Sequence, residues 1–361
     1  MRKTLLYFVV LALLGFSVYY FIFSNKNALY GSNEAAFTVR DTASIGKIFI
    51  ANTDGKSILL ERTDSGWMLN KQYKALRSTL NTLLLTLAEQ EALYPVNQNA
   101  YNNVIKSLSA DGIKVILYNR SGKMFRTFYV GGSSVNQVGT NMLMEGADKP
   151  YVVQIQGFDG YLTPRYTTDI KAWRDRTVFN IPQEQIKSVS VRYPDHPLNS
   201  FVITQDDSNK ITVTGNNTII HYQHLNMRRS NVYLKYFTNL NCEGYMNGID
   251  GIDSVIKNTG KQSIVDITDI HGNDIHADIY WMPINRRSKN LATSDADVPD
   301  IYDADRLYAV INNAKDTVMI QQFVFKKLFR KLYEFYEQDE EIPPGDKKYV
   351  QPKNVMIHKN I

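Results

Sequence analysis

The chain is nearly without cysteine. Its 361 residues include one, Cys242, so no disulfide can form within it. A lone thiol without metal-ligand neighbours behaves as a small apolar side chain, and Cys242 is read as packing. Long apolar runs are missing after residue 24, so no later segment is long enough to span a bilayer. Concentrated charge is missing too. The formal net charge is +5, and Arg2 and Lys3 supply two of those charges at the extreme N-terminus. A mildly basic chain without a basic stripe argues against nucleic acid as a partner.

Catalytic signatures are also absent. There is no Gly-x-Ser-x-Gly elbow. "GGSSVNQVGT" (131–140) lacks the Gly-Lys-Ser/Thr of a phosphate loop and opens no helix, so it reads as a strand connection. His221 and His224 lack the spacing and the glutamate of a zinc helix. The acidic stretch with Asp295, Asp297, Asp300, Asp303 and Asp305 lacks the glycine and terminal glutamate of a calcium loop. No cofactor is expected, and the chain is not expected to be an enzyme.

What is present is the composition of a folded protein, 43% hydrophobic and 21% charged. The length suggests roughly two domains. At the N-terminus, the run from Thr4 to Phe23 carries no charge and follows Arg2 and Lys3. About 20 helical residues cover about 30 Å, the hydrocarbon thickness of a bilayer. The run ends in Tyr19, Tyr20, Phe21, Ile22 and Phe23 with no small-x-small cleavage site, so it reads as an uncleaved anchor in contact with membrane lipid. Arg2 and Lys3 outweigh the nearby Lys26, so the N-terminus is expected in the cytoplasm and the rest of the chain outside the inner membrane.

Downstream, short alternating strands and helices occur in an order that repeats. "IGKIFIA", "SILLERT" and "GWMLN" are separated by turn signals, with Asp54-Gly55 suited to a tight hairpin. Leu76, Leu80, Leu83, Leu84 and Leu87 form one helical face, and a second helix is read around Val104, Ile105 and Leu108. Four strand-like runs then lead to residue 158. From residue 186 come three strands, a helix over 226–246 with Val232, Tyr236, Phe237 and Leu240 on one face, a short helix, and four more strands. A uniform shift of about 150 residues places Val115 on Val265, Leu117 on Ile267, Gly122 on Gly272, Phe125 on Ile275 and Tyr129 on Ile279.

The expected fold is therefore α+β, with two related repeats of short antiparallel strands plus helices after one N-terminal transmembrane helix. The expected divisions are anchor 1–24, tether 25–44, first repeat 45–158, joint 159–185, second repeat 186–323, amphipathic helix 324–338 and polar tail 339–361.

"IFIANTDGKSILLERTDSGWMLN", the following Leu-rich helix, "FYVGG" with its later "GT", "VVQIQGF" and Trp173 before "FNIP" resemble a bacterial domain family of unknown function. Members of that family are anchored in the inner membrane beside gliding-motility-type ABC transporter components. The likeness covers about residues 45–215 well and the remainder loosely. It implies an auxiliary or scaffolding role and supplies no functional residues. The second half departs from it where Asn209-Lys210 stands in place of Gly-Trp.

Three clusters are candidate sites. "GFDGYLTPRYTTDIKAWRDRTVF" (157–179) combines aromatic and basic side chains. One reading has Trp173, Phe179 and the Arg stems sealing a joint between repeats. The other makes Arg165, Arg174 and Arg176, with Trp173, an anion or partner contact. "QFVFKKLFRKLYEFYEQ" (322–338) reads as a basic amphipathic helix. Phe325, Leu328, Phe329, Leu332 and Phe335 share one face; Lys326, Lys327, Arg330 and Lys331 share the other. It suits packing on its own domain, a membrane interface or a partner groove. The hairpin 266–278 holds Asp266, Asp269, His271, Asp274, His276 and Asp278, which are metal-ligand types, but the alternation of apolar residues between them is that of an ordinary solvated strand face.

The leading functional expectation is a non-catalytic scaffold or accessory subunit of an envelope transport or motility complex, with other envelope proteins as partners. The alternatives are a binding module for an envelope polymer or small ligand, with its cleft between the repeats, and a metal-dependent hydrolase built on the 266–278 hairpin.

Overall fold

The computed structural model describes residues 34–206, 208–215, 224–289 and 298–337. The expected anchor and the polar tail lie outside these residues. No described helix is long and apolar enough to cross a membrane. The chain divides into two compact units, the boundary falling between Asp175 and Arg176. Both are mixed helix and strand with antiparallel sheets, an α+β fold.

The first unit starts with β1 (Ile45–Ala51), β2 (Ser57–Thr63), β3 (Gly66–Leu69) and β4 (Tyr73–Lys74). The β1–β2 hairpin turns where the sequence signals it, with Gly55 at φ +79° and the Lys56 amide donating to Asn52 Oδ1. Helix α1 (Arg77–Glu89) follows, and Leu80, Leu83 and Leu87 bury its inner face. Then come β5 (Gln90–Pro95), α2 (Gln98–Asp111), β6 (Ile113–Asn119), β7 (Met124–Ser133), β8 (Thr140–Met144), β9 (Tyr151–Ile155) and the short helix α3 (Ile170–Trp173). The sheet order is β4-β3-β2-β1-β6-β7-β8-β9-β5. On one face, Leu80, Leu83 and Leu87 share a core with Ile48, Val115, Phe128 and Val130. Gly131 follows Val130 and so faces the other side. A Cβ there would lie 2.8 Å from Leu108 Cδ2 of α2, so glycine lets that helix approach the sheet.

The second unit runs β10 (Thr177–Phe179), β11 (Ile186–Arg192), β12 (Phe201–Gln205), β13 (Ile211–Gly215), α4 (Met227–Leu234), β14 (Leu240–Asn241), β15 (Gly244–Tyr245) and α5 (Ile252–Asn258). It continues with β16 (Lys261–Asp269), β17 (Asp274–Pro283), β18 (Tyr302–Ile311), β19 (Asp316–Gln321) and α6 (Gln322–Phe325). The main sheet reads β13-β12-β11-β16-β17-β18-β19-β15, and β10 pairs with β14 apart from it. Apart from the extra β4 in the first unit, the two strand orders match. The corresponding strands β1 and β11 each carry a bulge at their start, between Ile45 and Lys47 and between Ile186 and Ser188. The bulge resets the alternation, so Ile45 with Ile48, and Ile186 with Val189, all point inward.

Several sequence expectations are corrected by this arrangement. The uniform offset between the halves holds only through the β6–β7 turn. A further bulge between Leu117 and Tyr118 then shifts the register by one residue. Phe128, not Tyr129, thus corresponds to Ala277, and Val130 to Ile279, all fully buried. The helix expected over 226–246 ends much earlier, because Asn239 takes a left-handed conformation and strands follow. Its buried face is Ser230, Tyr233 and Leu234, with Val232 exposed.

The end of the tether is not free. The Val39 amide donates to the Leu87 carbonyl at 2.7 Å, and Phe37 is fully buried against Phe128 and Tyr151. Nor is 159–185 a separate joint. Leu162, Tyr166 and Trp173 belong to the first core, while Val178, Phe179 and Ile181 belong to the second. The 322–338 stretch is not one helix. It breaks into α6, a 3-10 turn at Lys326–Leu328 and another at Leu332–Phe335.

Candidate functional site

The aromatic and basic cluster of the first unit is largely consumed by that unit's own packing. Trp173 is fully buried and its Nε1 donates to the Thr167 carbonyl at 2.8 Å, so it presents no surface to a partner. Arg174 is 7% exposed, and its guanidinium carbon sits 3.8 Å from the centre of the Tyr73 ring. Arg165 donates to Thr86 Oγ1 at 2.9 Å and stacks over Phe158. Arg176 begins the second unit. It is half-buried, and its Nε meets no acceptor among the described residues.

The 266–278 hairpin forms a polar ladder across β11, β16 and β17. His276 Nδ1 lies 2.6 Å from Asp266 Oδ1, and Nε2 lies 3.3 Å from Asp278 Oδ1. Arg192 pairs with Asp266 at 2.8 Å and Lys261 with Asp278 at 3.0 Å. The other two aspartates serve the turn: Asp269 accepts from the His271 and Asn273 amides, and Asp274 from Thr268. Among the described residues no set of three or more His, Cys, Asp or Glu side chains is arranged to hold a metal ion. Asp303 belongs to β18 rather than to a solvated loop. Its buried carboxylate accepts from Arg287 and from the Asp305 and Arg306 amides.

A cleft of about 710 Å³ lies within the second unit. One wall is α4 and the turn after it, where Arg228, Val232 and Tyr236 recur every fourth residue and therefore share a face. The other wall is the C-terminal segment, which supplies Arg330, Tyr333 and Glu334. Its floor is aromatic: the Tyr233 and Phe335 rings meet edge-on with centroids 5.1 Å apart, and each is 2% exposed.

The two walls are tied at one end. The Asn226 amide donates to the Phe335 carbonyl at 2.8 Å, and Leu225 bridges to Tyr336. Arg229 Nη1 reaches the Glu334 carbonyl at 3.2 Å. The buried Tyr233 hydroxyl donates to the Leu328 carbonyl at 3.0 Å. Burial pushes its pKa well above the ordinary phenol value, against the opposing charge of Arg330.

No model of a known protein family, no curated protein and no solved structure matches the chain.

Charge in the cleft is unbalanced. Among the described lining residues Glu334 is the one carboxylate, and it is already engaged, with Oε1 3.3 Å from Arg330 Nη1 and Oε2 accepting from the Lys331 amide at 2.7 Å. Arg228 has no carboxylate partner among the described residues. Lys327 adds a cation over the Tyr236 ring, 5.5 Å from its centre. Guanidinium forks above a desolvated aromatic floor attract and orient carboxylate or phosphate groups.

Of the C-terminal residues singled out in sequence, Phe325, Leu328, Leu332 and Phe335 are buried in the second unit's own core, with Phe329 packed against it. They are therefore unavailable to a membrane or a groove. Of these residues, Arg330 and Phe335 line the cleft. Arg228 and Arg229 are missed by sequence reasoning. The signal present is an Arg-Arg pair opening a helix, with Tyr233 and Tyr236 on the following turns. Its meaning depends on a partner wall about 100 residues away.

Proposed function

We propose that this chain is an inner-membrane-anchored protein whose bulk lies outside the membrane, and that it serves as a recognition or accessory subunit of an envelope assembly. The observation that carries the recognition role is the cationic cleft of the second unit, with Arg228, Arg229 and Arg330 against one committed carboxylate. Its ligand is an anionic component of the envelope. The proposed binding surface lies within the second unit. The anchor reading rests on the uncharged run from Thr4 to Phe23. The matching strand order supports an origin of the two units by internal duplication.

The experiment is charge reversal. Arg228→Glu with Arg330→Glu should abolish retention of the native envelope component on the purified full-length chain while leaving thermal unfolding unchanged. Undiminished retention by this double variant contradicts the reading.

A further inference from the structure

We infer that the second-unit cleft takes an acidic saccharide, a sugar ring carrying a carboxylate or a phosphate ester. This deepens the recognition role proposed above and rests on it. Size is the first argument. A cleft of about 710 Å³ falls in the range of about 300–1,000 Å³ that encloses a small organic ligand, well beyond what a bare ion fills. Charge is the second. Glu334 offsets Arg330, which leaves Arg228 and Arg229 to meet the acidic group. Arg229 spends one guanidinium nitrogen on the Glu334 carbonyl, and its remaining donors are free to contribute to the fork.

The third argument is the character of the remaining lining. Tyr236 brings a phenol group that both donates and accepts, which suits a ring rich in hydroxyls. The Tyr233 and Phe335 rings, each 2% exposed, pack edge-on beneath this lining and support it. Among the lining residues Val232 is the only aliphatic one, so an acyl chain finds no slot. A lipid would bind by its headgroup alone.

The test is calorimetric titration of the full-length chain in neutral detergent. The probes are trigalacturonate, glucose 1-phosphate, maltotriose, inorganic phosphate, adenosine monophosphate and phosphatidylglycerol vesicles. The expected result is that trigalacturonate or glucose 1-phosphate binds at least tenfold more tightly than inorganic phosphate, adenosine monophosphate or the vesicles, and that maltotriose does not bind. Arg228→Glu should weaken that binding at least tenfold. Arg228→Lys, which keeps the charge without the planar fork, should weaken it less.

Equal or tighter binding of adenosine monophosphate, phosphate or the vesicles overturns the saccharide assignment while anion capture stands. Binding of maltotriose with comparable affinity also overturns it, since charge would then not select. Failure of every anionic probe overturns both the assignment and the recognition role beneath it.

Discussion

The guanidinium of Arg174 lies over the Tyr73 ring at 3.8 Å, nearly excluded from solvent. The Leu76 amide donates to the Trp173 carbonyl at 2.7 Å in the same region, so α3 is fastened to the start of α1. Arg174 therefore works inside the first unit. Arg174→Ala should destabilise that unit by about 1–3 kcal/mol through lost stacking and lost stem packing. Arg174→Lys should recover only part of this, because an ammonium lacks the planar face. Thermal unfolding of the full chain measures both. An unchanged transition in Arg174→Ala would remove the structural assignment.

Residues 36–39 are held by a buried polar network. Gln90 Nε2 donates to the Phe37 carbonyl at 2.8 Å, the Tyr166 hydroxyl donates to Gln90 Oε1, and Arg126 donates to the carbonyls of Ala36 and Thr38. Tyr166→Phe leaves the Gln90 oxygen buried without its donor, at a cost of about 1–3 kcal/mol. Phe37→Ala should cost about 3–5 kcal/mol through the cavity it leaves. Hydrogen exchange at the Val39 amide reports detachment. Protection in Phe37→Ala equal to that of the parent chain would show that the docking does not depend on this ring.

Alkaline pH should weaken both units by the same route. Burial raises the hydroxyl pKa values of Tyr166 and Tyr233 far above the ordinary value. Hydrogen bonding to Gln90 and the Arg165 charge oppose this only partly at Tyr166. The unfolded chain releases these protons near pH 10, whereas the folded chain keeps them. Their contribution is fully present below about pH 10. It is lost as pH rises toward the folded values, at about 1.4 kcal/mol per pH unit for each tyrosine. Denaturant titrations between pH 9 and 11 should show this slope, and Tyr166→Phe and Tyr233→Phe should each remove its share. Stability independent of pH across that window, in chains that remain folded, would contradict it.

Glu334 limits the charge of the cleft. Glu334→Gln retains an oxygen to accept from the Lys331 amide but releases Arg330 from its ion pair. Anion affinity should rise about 2–5-fold, an increase that shrinks as salt is added. A loss of affinity in a variant with unaltered circular dichroism would show that Glu334 serves the ligand directly.

Much of the fold is legible in the sequence, and the reasons are local. The period-2 runs of β1, β2, β6 and β16 and the leucine face of α1 carry their own signatures. Strands β5 and β15 do not. "QEALYP" lacks alternation, and Gly244–Tyr245 is too short to announce itself; pairing with β9 and β19 makes each a strand. The bulge at Leu117 is equally hidden, since one residue of slip leaves the composition of both strands unchanged. At the C-terminus the apolar face from Phe325 to Phe335 is read correctly as a face, but a continuous helix is not what buries it. Two short turns wrap those side chains into the core. The cleft is the least legible feature. Arg228 and Arg330 line one cleft because α4 and the C-terminal segment meet, through Asn226 with Phe335 and Leu225 with Tyr336, and those contacts are tertiary.

The most direct test of the central claim is photo-crosslinking in native membranes. A photoreactive residue is placed at Val232 on the cleft wall, 41% exposed, and in a separate chain at Leu85 on the first unit, 52% exposed. The account predicts an adduct from Val232 that disappears with Arg228→Glu, and none of that identity from Leu85. No adduct at Val232, or one that survives the charge reversal, would contradict the assignment of recognition to this cleft.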